Sequence, residues 1–291
     1  MKIVLSRKGF DSSAGGCPSP ILPDGRLRSL PIPDEHSTIK YSSIYSDDAY
    51  PTGNLVESLT NGKISASSLA HLDPDVDLNS RSRDADWRGA FGQCGVPQSH
   101  LEQQGVGIGD VFLFFGLYRR TEEAAGKVVF EKGSLEEHVI WGWLQIGEII
   151  RIEEGTPPPF EWYREHPHVS HPKCGNNNVI YIASESLKIP EVDSSLPGSG
   201  VFSKYDPRLK LTAEESNNPS LWRLPSWFSP ENGKTLSYHA PDRWEQCQKY
   251  RDKVLLKSIS PGQEFVIDIG DDTTAKLWLL EILAVSQSVR S

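Results

Sequence analysis

Residues 109–120 read GDVFLFFGLYRR, and residues 136–152 read EEHVIWGWLQIGEIIRI. Both runs are apolar at nearly every position and rich in β-branched and aromatic side chains, the composition of strands covered on both faces. A polar connection containing Gly126 and Gly133 lies between them. Two such runs joined by a short polar segment predict an antiparallel pair, Asp110 to Tyr118 against His138 to Glu148. Phe112, Phe114, Val139, Trp141 and Trp143 are then expected in the core. The preceding PQSHLEQQ, residues 97–104, reads as a short helix.

Outward from this hairpin the chain alternates between short strand-like runs and irregular polar stretches. MKIVLSRKG opens as a strand, RLRSLPIP and STIKYSSIY read as further β-like runs, and GNLVESL reads as a helical turn. NVIYIASESL, PGSGVF and GQEFVIDIG supply later strands. DDTTAKLWLLEILAVSQS has the clearest helical pattern, with Asp271 or Asp272 as cap and Ala275, Leu277, Leu279, Leu280, Leu283 and Ala284 on a broad apolar face. The fold class expected is α+β: a mixed, mostly antiparallel β core with long irregular loops and a C-terminal helix. Residues 1–291 read as one domain, a break near 156–159 being the alternative.

Composition narrows the function. The 291 residues carry 37% hydrophobic and 24% charged side chains with eight tryptophans, so a sizeable core is available. The net charge of −9 argues against a grip on a long nucleic-acid backbone, which calls for a basic surface. A local patch from Arg7, Lys8, Arg81, Arg83 or Arg88 would still serve a nucleotide or a modified base. Cys17, Cys94, Cys174 and Cys247 are widely spaced, with no C-x-x-C pair. No signal sequence opens the chain and no run is long enough to span a membrane, so a cytoplasmic protein with reduced thiols is expected.

Four stretches hold chemistry-bearing residues. FDSSAGGCPSP, residues 10–20, follows the first strand. Its Gly15 and Gly16 could present N–H groups to an anion, Ser12 and Ser13 could hydrogen-bond it, Arg7 and Lys8 could meet phosphate, and Asp11 could act as a base. The same composition also makes an ordinary turn. HLDPDVD, residues 71–77, sets His71, Asp73, Asp75 and Asp77 on alternate positions, one face of an extended segment. His71 and Asp73 are candidates for acid–base work or for a hard cation, against a solvated acidic loop. HPHVSHPKC, residues 166–174, gathers His166, His168, His171 and Cys174, a candidate divalent-metal set whose spacing matches no established finger. WRLPSWF, residues 222–228, offers Trp222 and Arg223 to a base, though tryptophans serve more often as core.

The hairpin GDVFLFFG with WGWLQIGEI resembles the barrel core of PUA-like modules, the group with ASCH and EVE domains. Taken together, MKIVLSRKGFDSSAGGCPSPILPDG, AHLDPD, FGQCGVPQSHL, GDVFLFFG, NNNVIYIA and WRLPSWF, in this order, resemble the nucleotide modification associated domain 3 family over nearly the full length. The resemblance implies nucleotide or nucleic-acid base modification as the topic, without a defined reaction. The expected function is an enzyme acting on a nucleotide-like substrate, its cleft built from the Asp11 turn, the His71 loop and the His166 loop. The alternatives are a PUA-like reader of modified bases, or a partner within a modification or defence system.

Overall fold

The computed structural model describes residues 1–153, 161–170, 177–190, 196–214, 216–259 and 264–287. Its strands are β1 (Lys2–Arg7), β2 (Ser19–Ile21), β3 (Ala90–Gln93), β4 (Val111–Ala124), β5 (Lys127–Phe130) and β6 (Glu137–Arg151). They continue with β7 (Val179–Ala183), β8 (Ser199–Val201), β9 (Leu221–Pro225), β10 (Trp244–Gln246), β11 (Lys253–Lys257) and β12 (Glu264–Asp268). The helices are α1 (Thr52–Leu59), α2 (Gly95–Gln103), α3 (Pro167–Ser170) and α4 (Thr273–Ala284).

The long hairpin is the spine. β4 and β6 pair antiparallel, with Val111 opposite Gln145 and Tyr118 opposite Glu137, and a register shift between Phe114 and Phe115. Residues 111–118 of β4 and 137–146 of β6 are buried throughout, as expected of strands covered on both faces. Among the described residues, nine strands form one sheet along the path β12-β1-β4-β6-β7-β3, with β2 and β5 on β4 and β8 on β6. β1 and β2 run parallel to β4; the other pairings are antiparallel. Among the described residues the sheet ends at β12 and β3 and closes no barrel, so the PUA-like barrel expected from the hairpin is not formed. A second sheet, β10-β11-β9, packs on this core through Trp222, whose ring lies 5.0 Å from that of Phe115.

Local signals beyond the strands are followed in part. Asp272 caps α4 by accepting from the Ala275 amide at 3.0 Å. Ala275, Leu279, Ile282 and Leu283 are buried in the main core, whereas Leu277 and Ala284, expected on the apolar face, are exposed because they fall away from it. RLRSLPIP and STIKYSSIY do not become strands. Each makes only isolated bridges, Ile21 to Leu27 and Lys40 to Leu69, and Tyr41–Ser43 forms a 3-10 turn. Both lack a partner strand along their length, and strand propensity without a ladder does not make a strand. Cys94, expected as a reduced thiol, is disulfide-bonded, whereas Cys17 and Cys247 are free. Burial pushes the Cys17 thiol up to about 11, which makes it inert.

The core also holds a histidine that must stay neutral. His138 Nδ1 accepts from the Trp222 indole N–H at 2.9 Å. Burial, helped by the charge of Arg7, lowers its pKa to about 3. The unfolded chain therefore binds a proton that the native chain refuses between about pH 6.5 and 3, and stability falls as pH falls through that window. Between pH 6.5 and 4.5 the loss from this residue is expected to be roughly 2–3 kcal/mol. Urea unfolding at the two pH values measures it. His138→Gln keeps an acceptor for the indole without titrating, and should flatten that part of the slope.

Candidate metal centre

The 71–77 and 166–168 loops, nearly a hundred residues apart in sequence, meet at the β3 edge of the sheet. The His71 amide donates to Ile32 O at 2.8 Å, which ties its loop to the 30–34 segment. The Asp73 side chain is only 5% exposed. Its Oδ1 accepts from the Gly92 amide of β3 at 2.8 Å. Around this carboxylate stand three imidazoles. His166 Nε2 lies 3.3 Å from Oδ1, and His168 Nε2 and His71 Nε2 lie 3.6 Å and 3.8 Å from Oδ2. One ligand atom from each of His71, Asp73 and His168 can be chosen so that all three lie within 4.8 Å of one another.

The hydrogen bonds behind the rings fix which nitrogen carries the lone pair. His71 Nδ1 is 2.9 Å from Asp34 Oδ2, a carboxylate, so Nδ1 holds the proton and Nε2 is free to ligate. His168 Nδ1 is 2.7 Å from Asn178 Oδ1. The Asn178 amide nitrogen donates to His168 O at 2.7 Å, which leaves Oδ1 as the acceptor and puts the proton on His168 Nδ1. His168 Nε2 is again free. His166 is the opposite case. Its Nδ1 faces the His168 amide at 3.3 Å as acceptor, so in the neutral ring Nε2 carries the proton and faces Asp73. The arrangement is therefore two histidines and one carboxylate with open Nε2 or oxygen lone pairs, plus a third histidine whose Nε2 lies 3.3 Å from the carboxylate but out of line for a hydrogen bond. A histidine whose far nitrogen is held by a carboxylate or amide is the usual second layer of a metal site.

The electrostatics agree with an ionised centre. Burial works to raise the Asp73 pKa, but His166, His168 and His71 outweigh it and hold the carboxyl well below the usual range. Burial drives His168 down to about 4, against the pull of Asp73, so the imidazole is neutral. Deprotonated carboxylate and neutral imidazole are the forms that bind a cation. Gly92 completes the geometry. A Cβ there would lie 2.4 Å from the His168 ring, so the ring occupies the space that a side chain would need.

Two cavities flank the centre. The first, about 50 Å³, is lined by Asp73, Pro74, Asp75, Tyr45 and Trp141 among others. The second, about 420 Å³, is lined by His166, Trp87, Trp162, Arg81, Arg83 and Arg164 among others.

The remaining candidates lie elsewhere. Asp75 binds Arg83, at 2.7 Å to Nη1, and Asp77 accepts from the Tyr45 hydroxyl, so the alternation in 71–77 does not bring all four residues to one point. In the opening turn, Asp11 Oδ1 accepts from the Ser13 amide and hydroxyl and the Ala14 amide, and Oδ2 pairs with Arg7 at 2.9 Å. Burial raises the Asp11 pKa, but these hydrogen bonds and Arg7 leave it lowered. Gly15 sits against the Phe10 ring, 2.4 Å from where its Cβ would be. Ser12, Ser13 and Gly16 are exposed, and none of Asp11 to Gly16 lines either cavity beside the centre or the one between α1 and β5. Lys8 is spent on buried Glu264 at 3.0 Å. Trp222 is fully buried and has no face to offer a base, while Arg223 pairs with Glu214 at 3.1 Å. His171 and Cys174 lie outside the described residues. Asp34, Gly92 and Asn178 were not singled out from sequence, because a supporting residue has no spacing rule of its own.

The class defined by fold and site is an α+β protein with a candidate two-histidine, one-carboxylate centre. A sequence model of the nucleotide modification associated domain 3 family matches residues 2–268, and the chain belongs to that family. Neither a curated protein nor a solved structure matches it. Among the described residues no helix is long and apolar enough to cross a membrane.

Proposed function

We propose that the chain is a metal-dependent enzyme of nucleotide modification, one domain over residues 1–291, with His71, Asp73 and His168 as ligands of a divalent ion. The observation that carries this reading is the tautomer pattern: Asp34 and Asn178 leave both Nε2 lone pairs facing the ionised Asp73. Three protein ligands leave coordination positions open, the arrangement of catalytic zinc or of non-haem iron(II) rather than of a closed structural site. The ion's role is to hold and polarise a water or substrate oxygen there. Asp73, first considered as an acid or base, then serves as a ligand, and His166 keeps it oriented. The 420 Å³ cavity beside His166 is within the usual range for a small-molecule site. Arg83 stacks over Trp87 at 4.3 Å within it, which suits a nucleotide-like substrate.

Elemental analysis tests the proposal. Protein purified without chelator is expected to carry about one equivalent of zinc or iron, lost on treatment with EDTA and restored by the same metal. Metal-loaded protein incubated with a nucleotide mixture should change the mass of one component, and EDTA-treated protein should not. Folded protein that neither carries nor takes up metal would overturn the assignment.

A further inference from the structure

The larger cavity has a wall whose arginines are already paired. The 81–87 and 161–166 loops build most of it, tied across by Arg81 and Glu165 at 2.7 Å. Arg81, Arg83 and Arg164 line it, and each holds a carboxylate that lines it too. Arg81 pairs with Glu165, Arg164 with Glu161 at 2.8 Å, and Arg83 with Asp75 at 2.7 Å. Asp84 adds a fourth carboxylate against the three guanidiniums. Even with the two more exposed pairs opened, an incoming phosphate would meet more negative charge than positive.

What the wall offers instead is flat aromatic surface. Trp87 and Trp162, one from each loop, line the cavity and are half-buried. The Arg83 guanidinium backs the Trp87 ring, its carbon 4.3 Å from the ring centre. That backing is fixed. Besides its Asp75 contact, Arg83 Nη2 donates to Ser80 Oγ at 2.7 Å and to Asp77 O at 3.1 Å, and the side chain is 8% exposed. A tryptophan held in this way is arranged for stacking before a ligand arrives, and loses little freedom on binding. His166 stands in the same wall with its Nε2 3.3 Å from Asp73, so a ring bound here lies beside the proposed metal centre. We infer that this cavity takes the uncharged base of a nucleoside, stacked on Trp87, with any phosphate left outside it. That the ring is a base rests on the proposed function above; that it is flat and neutral rests on the wall.

Calorimetry on EDTA-treated protein measures binding, so that failure of the metal assignment does not decide the result. The probes are the common nucleosides, their 5′-triphosphates, inorganic phosphate and a single-stranded oligonucleotide. A nucleoside is expected to bind with an affinity that added salt leaves unchanged, because the contact is neutral. Its triphosphate should bind roughly 10-fold more weakly at low salt, and phosphate not measurably. Trp87→Ala should weaken the nucleoside about 5- to 150-fold, the range for one stacked base. Asp84→Asn, at an exposed position, should narrow the gap between nucleoside and triphosphate, and this reading does not depend on how well Trp87→Ala folds. A triphosphate or oligonucleotide that binds more tightly than the nucleoside would overturn the inference and leave the nucleotide reading standing. So would a folded Trp87→Ala with parental affinity, or a gap that Asp84→Asn does not change. Binding of none of the probes would overturn both.

Discussion

Gly92→Ala is expected to empty the proposed metal centre and destabilise the chain together. The added methyl would lie 2.4 Å from Cγ and Cδ2 of His168, more than an ångström inside normal contact. Neither side gives way cheaply. β3 is held by β7 in register, with Gly92 opposite Ile180 and Phe91 opposite Tyr181. The His168 ring is held by Asn178 at 2.7 Å and its backbone carbonyl by the same amide. The Gly92 amide also donates to Asp73, so any backbone shift moves a second ligand. Overpacking of this kind costs about 1–3 kcal/mol. Competition with a chromophoric chelator should show metal affinity lowered by at least about 100-fold, the upper end for a lost outer-layer contact, because two ligands are displaced. A variant that holds metal as tightly as the parent would mean that His168 is not a ligand in this position.

The second large effect separates ligands from supports. A four-ligand zinc site is worth about 10–16 kcal/mol, hence about 3 kcal/mol or more than 100-fold per ligand. His71→Ala and His168→Ala should each lose at least that much affinity. Asp34→Ala and Asn178→Ala remove only the group that fixes the tautomer, and should cost about 10- to 100-fold. His166→Gln should retain one equivalent of metal, since the replaced ring carries its proton on Nε2 and offers no lone pair there. The order of the five variants is the test. His166→Gln falling as far as His71→Ala would make His166 a ligand and the centre a three-histidine site.

How much of this was legible beforehand divides by range. The β4/β6 hairpin, the buried Phe112 and Trp143 and the capped α4 follow from periodicity and from caps a few residues away, which are local properties. The candidates His71 and Asp73 in one loop, and His166, His168, His171 and Cys174 in another, came from residue type alone, and His171 and Cys174 lie outside the described residues. Composition could not separate these from Asp11 or Trp222. The Asp11 carboxylate closes its own turn, and Trp222 packs on Phe115 and donates to His138.

The sequence by itself therefore determined the spine of the sheet, the C-terminal helix and the residue types available for a metal. The tertiary structure alone decided that the two loops bring His71, Asp73, His166 and His168 together. The β3 to β7 pairing carries Gly92 beside Ile180 and so brings Asp73 to His168, a contact set by register across nearly ninety residues. It also decided which histidines can ligate. An imidazole's free nitrogen is chosen by whatever binds its other one, and Asp34 and Asn178 reach that place only when the chain has folded.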